Sequence, residues 1–289
     1  MDIVTWNVNS LRARMPRVLE FLDRADPDVV CLQETKVVDE LFPREELEAA
    51  GYHVAFHGQK TYNGVAILSK APIEEVVTGI PGTDHAEARV IAAVVEDVML
   101  LDLYVVNGKE VGCDKYDYKL AWMKDVATYV EERFPMTEKV VVTGDFNVTF
   151  DDRDVYDPEK WRDRILCSGP ERDALAAIMA PGLKDGLRKH NEEAGVYTWW
   201  DFRTFGFKRG NGLRIDHFLL SPPAYEACTD VVVDLEARGG GEAQRSRSGD
   251  LHALLSPGIQ RPHRPGGRRG GNPGRIRGSV HMLGSPFCR

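Results

Sequence analysis

The sequence predicts an α/β protein made of two packed β-sheets covered by helices. Three observations carry this reading. Short apolar runs of strand length recur from residue 2 to about residue 235. Several of them stand in adjacent pairs, as antiparallel neighbours do. Longer segments with apolar residues three and four positions apart lie between them, as amphipathic helices do.

In chain order, "DIVTWNV" reads as a strand that begins at once. "PRVLEFLDRA" reads as a helix opening at Pro16, with Val18, Leu19 and Leu22 on one face. "PDVVCLQE" is a buried strand, and "NGVAILSK" is another after the turn signal Asn63-Gly64. "ARVIAAVVED" and "VMLLDLYVVNG" flank Asp97 as an antiparallel pair. "DYKLAWMKDVATYVEERF" is the clearest amphipathic helix. "EKVVVTGDFNV" is a strand ending in polar residues, "PERDALAAIMA" a helix, and "LRIDHFLLSP" and "TDVVVDLE" late strands. There is no internal repeat.

A chain of 289 residues suffices for one large domain or two small ones. No run approaches the ~20 apolar residues that cross a membrane. "MDIVTWNVNS" lacks the basic and apolar regions of a signal peptide. The five cysteines are scattered, odd in number and without a CxxC. They read as reduced thiols of a cytoplasmic protein, with neither a disulfide framework nor a zinc site.

The net charge of −8 is unevenly spread. Residues 239–289 hold nine Arg against Glu242 and Asp250, a net of +7, which leaves about −15 for the rest. An acidic body argues weakly against nucleic-acid binding. It is compatible with a carboxylate-rich metal site beside a local basic face. Apolar periodicity stops near Arg238, and "RPHRPGGRRGGNPGRIRGS" is basic and of low complexity. Such a segment buries too little apolar surface to offset its ordering entropy. The expected organisation is a folded domain over residues 1–237 and a disordered Arg/Gly/Pro-rich tail over 238–289.

Four apolar runs end in polar groups: Asn7 and Asn9, Gln33 and Glu34, Asp145 and Asn147, and Asp216. A lone Asp after a strand is ordinarily a turn or cap residue. Asp145 and Asn147 are two apart, however, and share a side if the strand continues. Buried carboxylates are costly unless paired or metal-bound. Oxygen donors with few thiols or imidazoles suit a hard cation, Mg²⁺ or Mn²⁺. Such a cation acts as a Lewis acid on a phosphoryl oxygen. Asp145 would then position or deprotonate an attacking water, and Asn147 would donate to the charge developing on the phosphate.

Together "IVTWNVNSLRAR", "PDVVCLQETK", "YNGVAILSK", "LDLYVVNG", "VVVTGDFNV", "YTWWDFR" and "LRIDHFLLS" resemble, in order, the motifs of the exonuclease III / abasic-site endonuclease family. That family lies within the endonuclease–exonuclease–phosphatase superfamily, and the resemblance covers residues 2–235. "GDFN" is shared with other branches, whereas "LQETK" and "WNVNSLRAR" are particular to the DNA-repair branch. The resemblance implies a four-layer αββα sandwich (DNase I-like) and a Mg²⁺-dependent phosphodiesterase. It implies a monomer, away from membranes, that acts on duplex DNA at abasic sites and 3′ ends. Glu34 is implied as the main metal ligand with Asn7 beside it, and Asp145 and Asn147 belong to the same metal-site cluster. Tyr104 is implied to contact the phosphate, Asp145 to act on the water, Asn147 to stabilise the transition state, and Asp216 to hold a catalytic histidine. Trp199 and Trp200 match the positions that shape an abasic-sugar pocket. Arg12 and Arg14 read as DNA phosphate contacts or equally as solvated surface charges, and Asn107 as a further DNA contact.

The family's closing Ser-Asp-His-x-Pro motif is absent, and "EARGGGEAQRSRSGDLHALLSPG" occupies its place. Gly241–Gly249 can be encoded as GGA GAA GCC CAG CGA TCA CGC TCC GGT G. Read one base later, that string gives Glu-Lys-Pro-Ser-Asp-His-Ala-Pro-Val, which predicts a frameshift near Gly240. The expectation is a domain without its last motif and last strand, unstable at a bare sheet edge and poorly active. His252 lies six residues past the expected place and lacks the Asp-His adjacency, so it is a poor substitute. His217 follows Asp216 and should face the other way. Two other readings compete. One is a superfamily phosphatase for lipids or inositol phosphates. The other is an inactive nucleic-acid binder using the Arg/Gly tail.

Overall fold

A computed structural model describes residues 1–201, 203–234 and 276–282. The chain begins with β1 (Asp2–Asn7), α1 (Leu11–Ala25), β2 (Val29–Gln33), α2 (Arg44–Ala49), β3 (His53–His57) and β4 (Val65–Ser69). It continues through β5 (Ile73–Thr78), β6 (Val90–Val95), β7 (Val98–Tyr104), α3 (Asp114–Arg133) and β8 (Lys139–Asp145). Next come α4 (Pro158–Trp161), α5 (Gly169–Met179), β9 (Lys184–Asp185), α6 (Gly186–His190), β10 (Trp199–Trp200), α7 (Gly206–Arg209) and β11 (Gly212–Leu213). The last described elements are β12 (Asp216–Leu220), α8 (Pro222–Ala227), β13 (Cys228–Asp234) and β14 (Ile276–Met282).

The strands form two six-stranded sheets, ordered β13-β14-β1-β2-β4-β3 and β5-β6-β7-β8-β12-β9, and a small ribbon, β10-β11. Period-two alternation explains how they pack. Ile3, Val29, Cys31 and Ile67 of the first sheet meet Leu100, Val141 and Phe218 of the second in one buried core. The alternate residues face the helices. Val4, Trp6 and Val30 pack on Val18 and Phe21 of α1, while Val140 and Val142 pack with Trp122 of α3 and Leu175 of α5. The result is the expected four-layer αββα stack.

Two expectations need correction. Helix α1 starts at Leu11, so Pro16 lies inside it. Leu11 and Met15 extend its buried face backward, and that burial outweighs the single backbone bond Pro16 cannot make. The sheet also does not end a strand short. β14, from the tail expected to be disordered, lies between β1 and β13 and runs parallel to both. A central strand is held by backbone ladders on both sides, which composition alone does not reveal. The tail's other residues, including His252 and the segment in place of the missing motif, lie outside the described residues.

Candidate active site

The inward face of each sheet turns polar at one end. β1 and β2 are parallel, as are β7 and β8, so their C-terminal ends align, and the antiparallel β12 begins there. In the second sheet Tyr104 lies opposite Asp145, and Asp145 opposite Asp216. These three residues form one row across neighbouring strands. Asn7 lies opposite Gln33 in the first sheet, and Glu34 follows at once.

Asn7 joins the two sheets. Its side-chain amide donates to Glu34 Oε1 at 2.8 Å and to Asp145 Oδ2 at 2.9 Å. The Glu34 carboxylate also pairs with Lys36 Nζ at 2.7 Å. Lys36 in turn bonds the Asn9 side chain. Tyr104 hydrogen-bonds Glu34, and burial followed by the charges of Glu34 and Asp145 pushes its phenol up. Asp145 is pushed up to about 7, mainly by burial, with Glu34 adding like charge. Its Oδ1 accepts the backbone N–H of Asn147 at 3.0 Å. The Asn147 side chain donates to Val105 O at 3.0 Å and accepts from Asn107 Nδ2 at 3.0 Å. Asp216 is buried, and its backbone N–H donates to Thr198 Oγ1 at 3.2 Å.

The local backbone is specialised. Glu34 (φ 54°) and Asn147 (φ 49°) adopt left-handed conformations, which cost energy for non-glycine residues and cluster at functional sites. Two glycines make this geometry possible. The Gly64 carbonyl accepts from Thr35 N at 3.1 Å, and a Cβ there would meet Thr35 Oγ1 at 2.1 Å. A Cβ on Gly144 would meet Leu103 O at 2.0 Å. Hence the turn Asn63-Gly64 braces Thr35 and Lys36, directly after Glu34, and the Gly of "GDFN" lets β8 approach β7.

The other sequence-derived residues fall into separate groups. Arg12 and Arg14 lie in the first turn of α1, Arg12 exposed and Arg14 half-buried. Ser10 N and Leu11 N bond the carbonyls of Glu34 and Thr35, so this turn adjoins the cluster. Asn107 is exposed at its rim. Trp199 is half-buried against Leu213 and Ile215. Trp200 is 7% exposed and packs edge-on against Phe207 at 5.2 Å. His217 is turned outward from the inter-sheet space, between the rings of Phe146 and Phe150, with Nε2 2.7 Å from Val148 O.

One contributor escaped the sequence reading. The guanidinium of Arg89 lies 4.8 Å from the Tyr104 ring centroid and donates to Tyr104 O at 3.2 Å, while Glu87 holds its Nε at 2.8 Å. Its signal, a charged residue at the head of the apolar run "ARVIAAVV", looks like ordinary strand punctuation.

The donor set suits a hard cation. Two carboxylates, Glu34 and Asp145, converge on one amide, and both are oxygen donors. Among the described residues no three His, Cys, Asp or Glu side chains form a metal cluster, so amide and solvent oxygens would complete the shell.

A two-sheet αββα stack with acid and amide groups at a shared strand end defines a class, the hydrolases that process phosphate esters. The chain belongs to the endonuclease/exonuclease/phosphatase family, whose profile matches residues 4–270. Its relatives place it in the exonuclease III and AP endonuclease branch. It is 35% identical over 252 residues to exodeoxyribonuclease III of Haemophilus influenzae, covering 82% of this chain and 94% of that protein. Among solved structures, a Neisseria 3′ phosphatase bound to a product DNA hairpin shares 43% identity with a TM-score of 0.75, covering 78% of this chain and 88% of that one. An AP endonuclease from Archaeoglobus fulgidus shares 37% with a TM-score of 0.76, covering 79% and 89%. The family read from "LQETK", "GDFN" and "RID" is therefore the family of the chain.

Proposed function

We propose that this chain is built as a Mg²⁺-dependent DNA repair phosphodiesterase that incises 5′ to abasic sites and trims or digests DNA from 3′ ends. The observation that carries the reading is Asn7 bonded to Glu34 and Asp145 at the end of the Tyr104–Asp145–Asp216 row. The named activities of the relatives support the substrate class.

Glu34, Asp145 and Asn7 would hold the cation, which when bound supplies Lewis-acid stabilisation of a phosphoryl oxygen; Mn²⁺ would serve in its place. Asp145 accepts or orients the proton of the attacking water. Asn147 keeps one amide hydrogen beyond its bond to Val105 O and directs it at charge developing on the phosphate. Tyr104, set by Arg89 and Glu34, contacts the same phosphate. Arg12, Arg14 and Asn107 hold the DNA backbone at the rim, and Trp199 is the better placed of the two tryptophans to line a sugar pocket. Asp216 supports a catalytic histidine in this scheme, yet the Ser-Asp-His-x-Pro motif is absent from the sequence. Turnover is therefore expected to be slow.

Incubation of a duplex carrying one abasic site, a duplex with a 3′ phosphate, and an inositol phosphate, each with Mg²⁺ or EDTA, tests the reading. It predicts slow Mg²⁺-dependent processing of the two DNAs alone. Phosphate release from the inositol phosphate without DNA cleavage would replace it with the phosphatase reading.

A further inference from the structure

Lys119, in the second turn of α3, is completely buried. A lysine in that state is rare and calls for partners. Its ammonium donates to Asn147 O at 2.7 Å and to Asn107 O at 3.3 Å, and it pairs with Glu171. An ammonium has three donors, and all three are used. Glu171 is fixed in turn. It accepts from Leu166 N at 3.1 Å, and from Ser168 N and Oγ at 3.1 and 2.7 Å.

The two carbonyls that Lys119 binds belong to the two asparagines whose side chains bond each other at 3.0 Å. Asn147, like Glu34, is also left-handed, a conformation that persists only when its surroundings fix it. A buried ion pair used merely as filler could be exchanged for neutral groups with little loss. Apolar groups would leave the two carbonyls without their shared donor.

We propose that Lys119 is a positioning residue, which locks the main chain of Asn107 and Asn147 from beneath and so aims the Asn147 amide. The proposal rests on the reading above in taking Asn147 as part of the reaction machinery.

The test compares Glu171→Gln with Lys119→Met/Glu171→Gln. The two share the altered cap of α5 and differ only in the ammonium. Three quantities are measured: the thermal midpoint, the ¹H–¹⁵N signals of the Asn147 side-chain amide, and the kcat and KM of abasic-site incision. The double variant is expected to fold, to show shifted and faster-exchanging Asn147 amide signals, and to lose at least tenfold in kcat with KM within twofold. A folded double variant whose amide signals and kcat match Glu171→Gln overturns the proposal. If the parent chain incises too slowly to measure, the amide signals alone decide the role of Lys119; failure of the proposed function is read separately, from the absence of incision by a chain whose frame is restored near Gly240. If the Met variant does not fold, Lys119→Leu/Glu171→Gln, which also lacks a donor, gives the same comparison.

Discussion

Asn7 and Asp145, 138 residues apart in the chain, hydrogen-bond at 2.9 Å across the space between the two sheets. The candidate site therefore exists only when the sheets are packed. Each half alone is a pair of strand ends. This bond, with Glu34 on the other side of Asn7, crowds acidic groups in a buried place and sets the energetics of the site.

Asp145 should cost stability when ionised. Its folded-state pKa of about 7 lies above the ordinary carboxylate value. The folded chain thus retains a proton that the unfolded chain releases, and this contribution to stability falls as pH rises from about 4 to 7. Asp145→Asn in EDTA should raise the melting temperature at pH 8 by several degrees, on the order of 1–3 kcal/mol, and change it little at pH 4. The variant should lose incision activity. Calorimetry at the two pH values checks this, and a lower melting temperature at pH 8 would count against it.

Glu34 meets Asn7, Lys36 and Tyr104 at once. Glu34→Gln keeps the shape and removes one of two anionic donors. Mn²⁺ affinity, followed by titration calorimetry, should weaken at least tenfold, and Mg²⁺-dependent incision should fall by on the order of a hundredfold or more. Unchanged metal affinity would remove Glu34 from the cation site.

His217 gives an opposite acid response. Burial, and then the Arg214 charge, push it down to about 4. The unfolded chain binds the extra proton between about pH 6.5 and 4, so stability is present above 6.5 and is lost as pH falls through that window. The loss is on the order of 3 kcal/mol. His217→Gln keeps a donor for Val148 O and removes the titration. Urea midpoints at pH 7 and pH 4.5 should differ less for the variant than for the parent. Asp145 acts with the other sign over nearly the same range, so each effect is read against its own variant.

Strand β14 makes the tail matter for stability. Its loss would leave the facing edges of β1 and β13 without ladder partners. Truncation before Ile276 should lower the thermal midpoint and promote aggregation, as light scattering during melting would show. An unchanged midpoint would mean that β14 contributes nothing to the sheet.

Much of the site was legible because its residues close apolar strands: Asn7 ends β1, Glu34 follows β2, Asp145 ends β8 and Asp216 opens β12. An abrupt polar residue after a buried run is a strong local signal. The supporting groups are less visible. Lys119 stands in a helix with many charged residues, and its one mark is spacing: Trp122, Met123 and Val126 share its buried face. Arg89 and Glu87 act through a neighbouring strand, and pairing register is absent from local pattern. β14 was missed because "RIRGSVHM" follows a Gly/Arg-rich run and shows little apolar alternation. The absent Asp-His motif was visible only as a gap in an otherwise continuous series.

The most direct measurement is Mg²⁺-dependent nicking of a duplex with a single abasic site, by this chain and by one whose frame is restored near Gly240. The account predicts efficient incision by the restored chain and incision slower by at least a hundredfold by this one. Equal rates would show that no histidine from the missing motif is needed. Absence of incision by the restored chain would contradict the assigned chemistry itself.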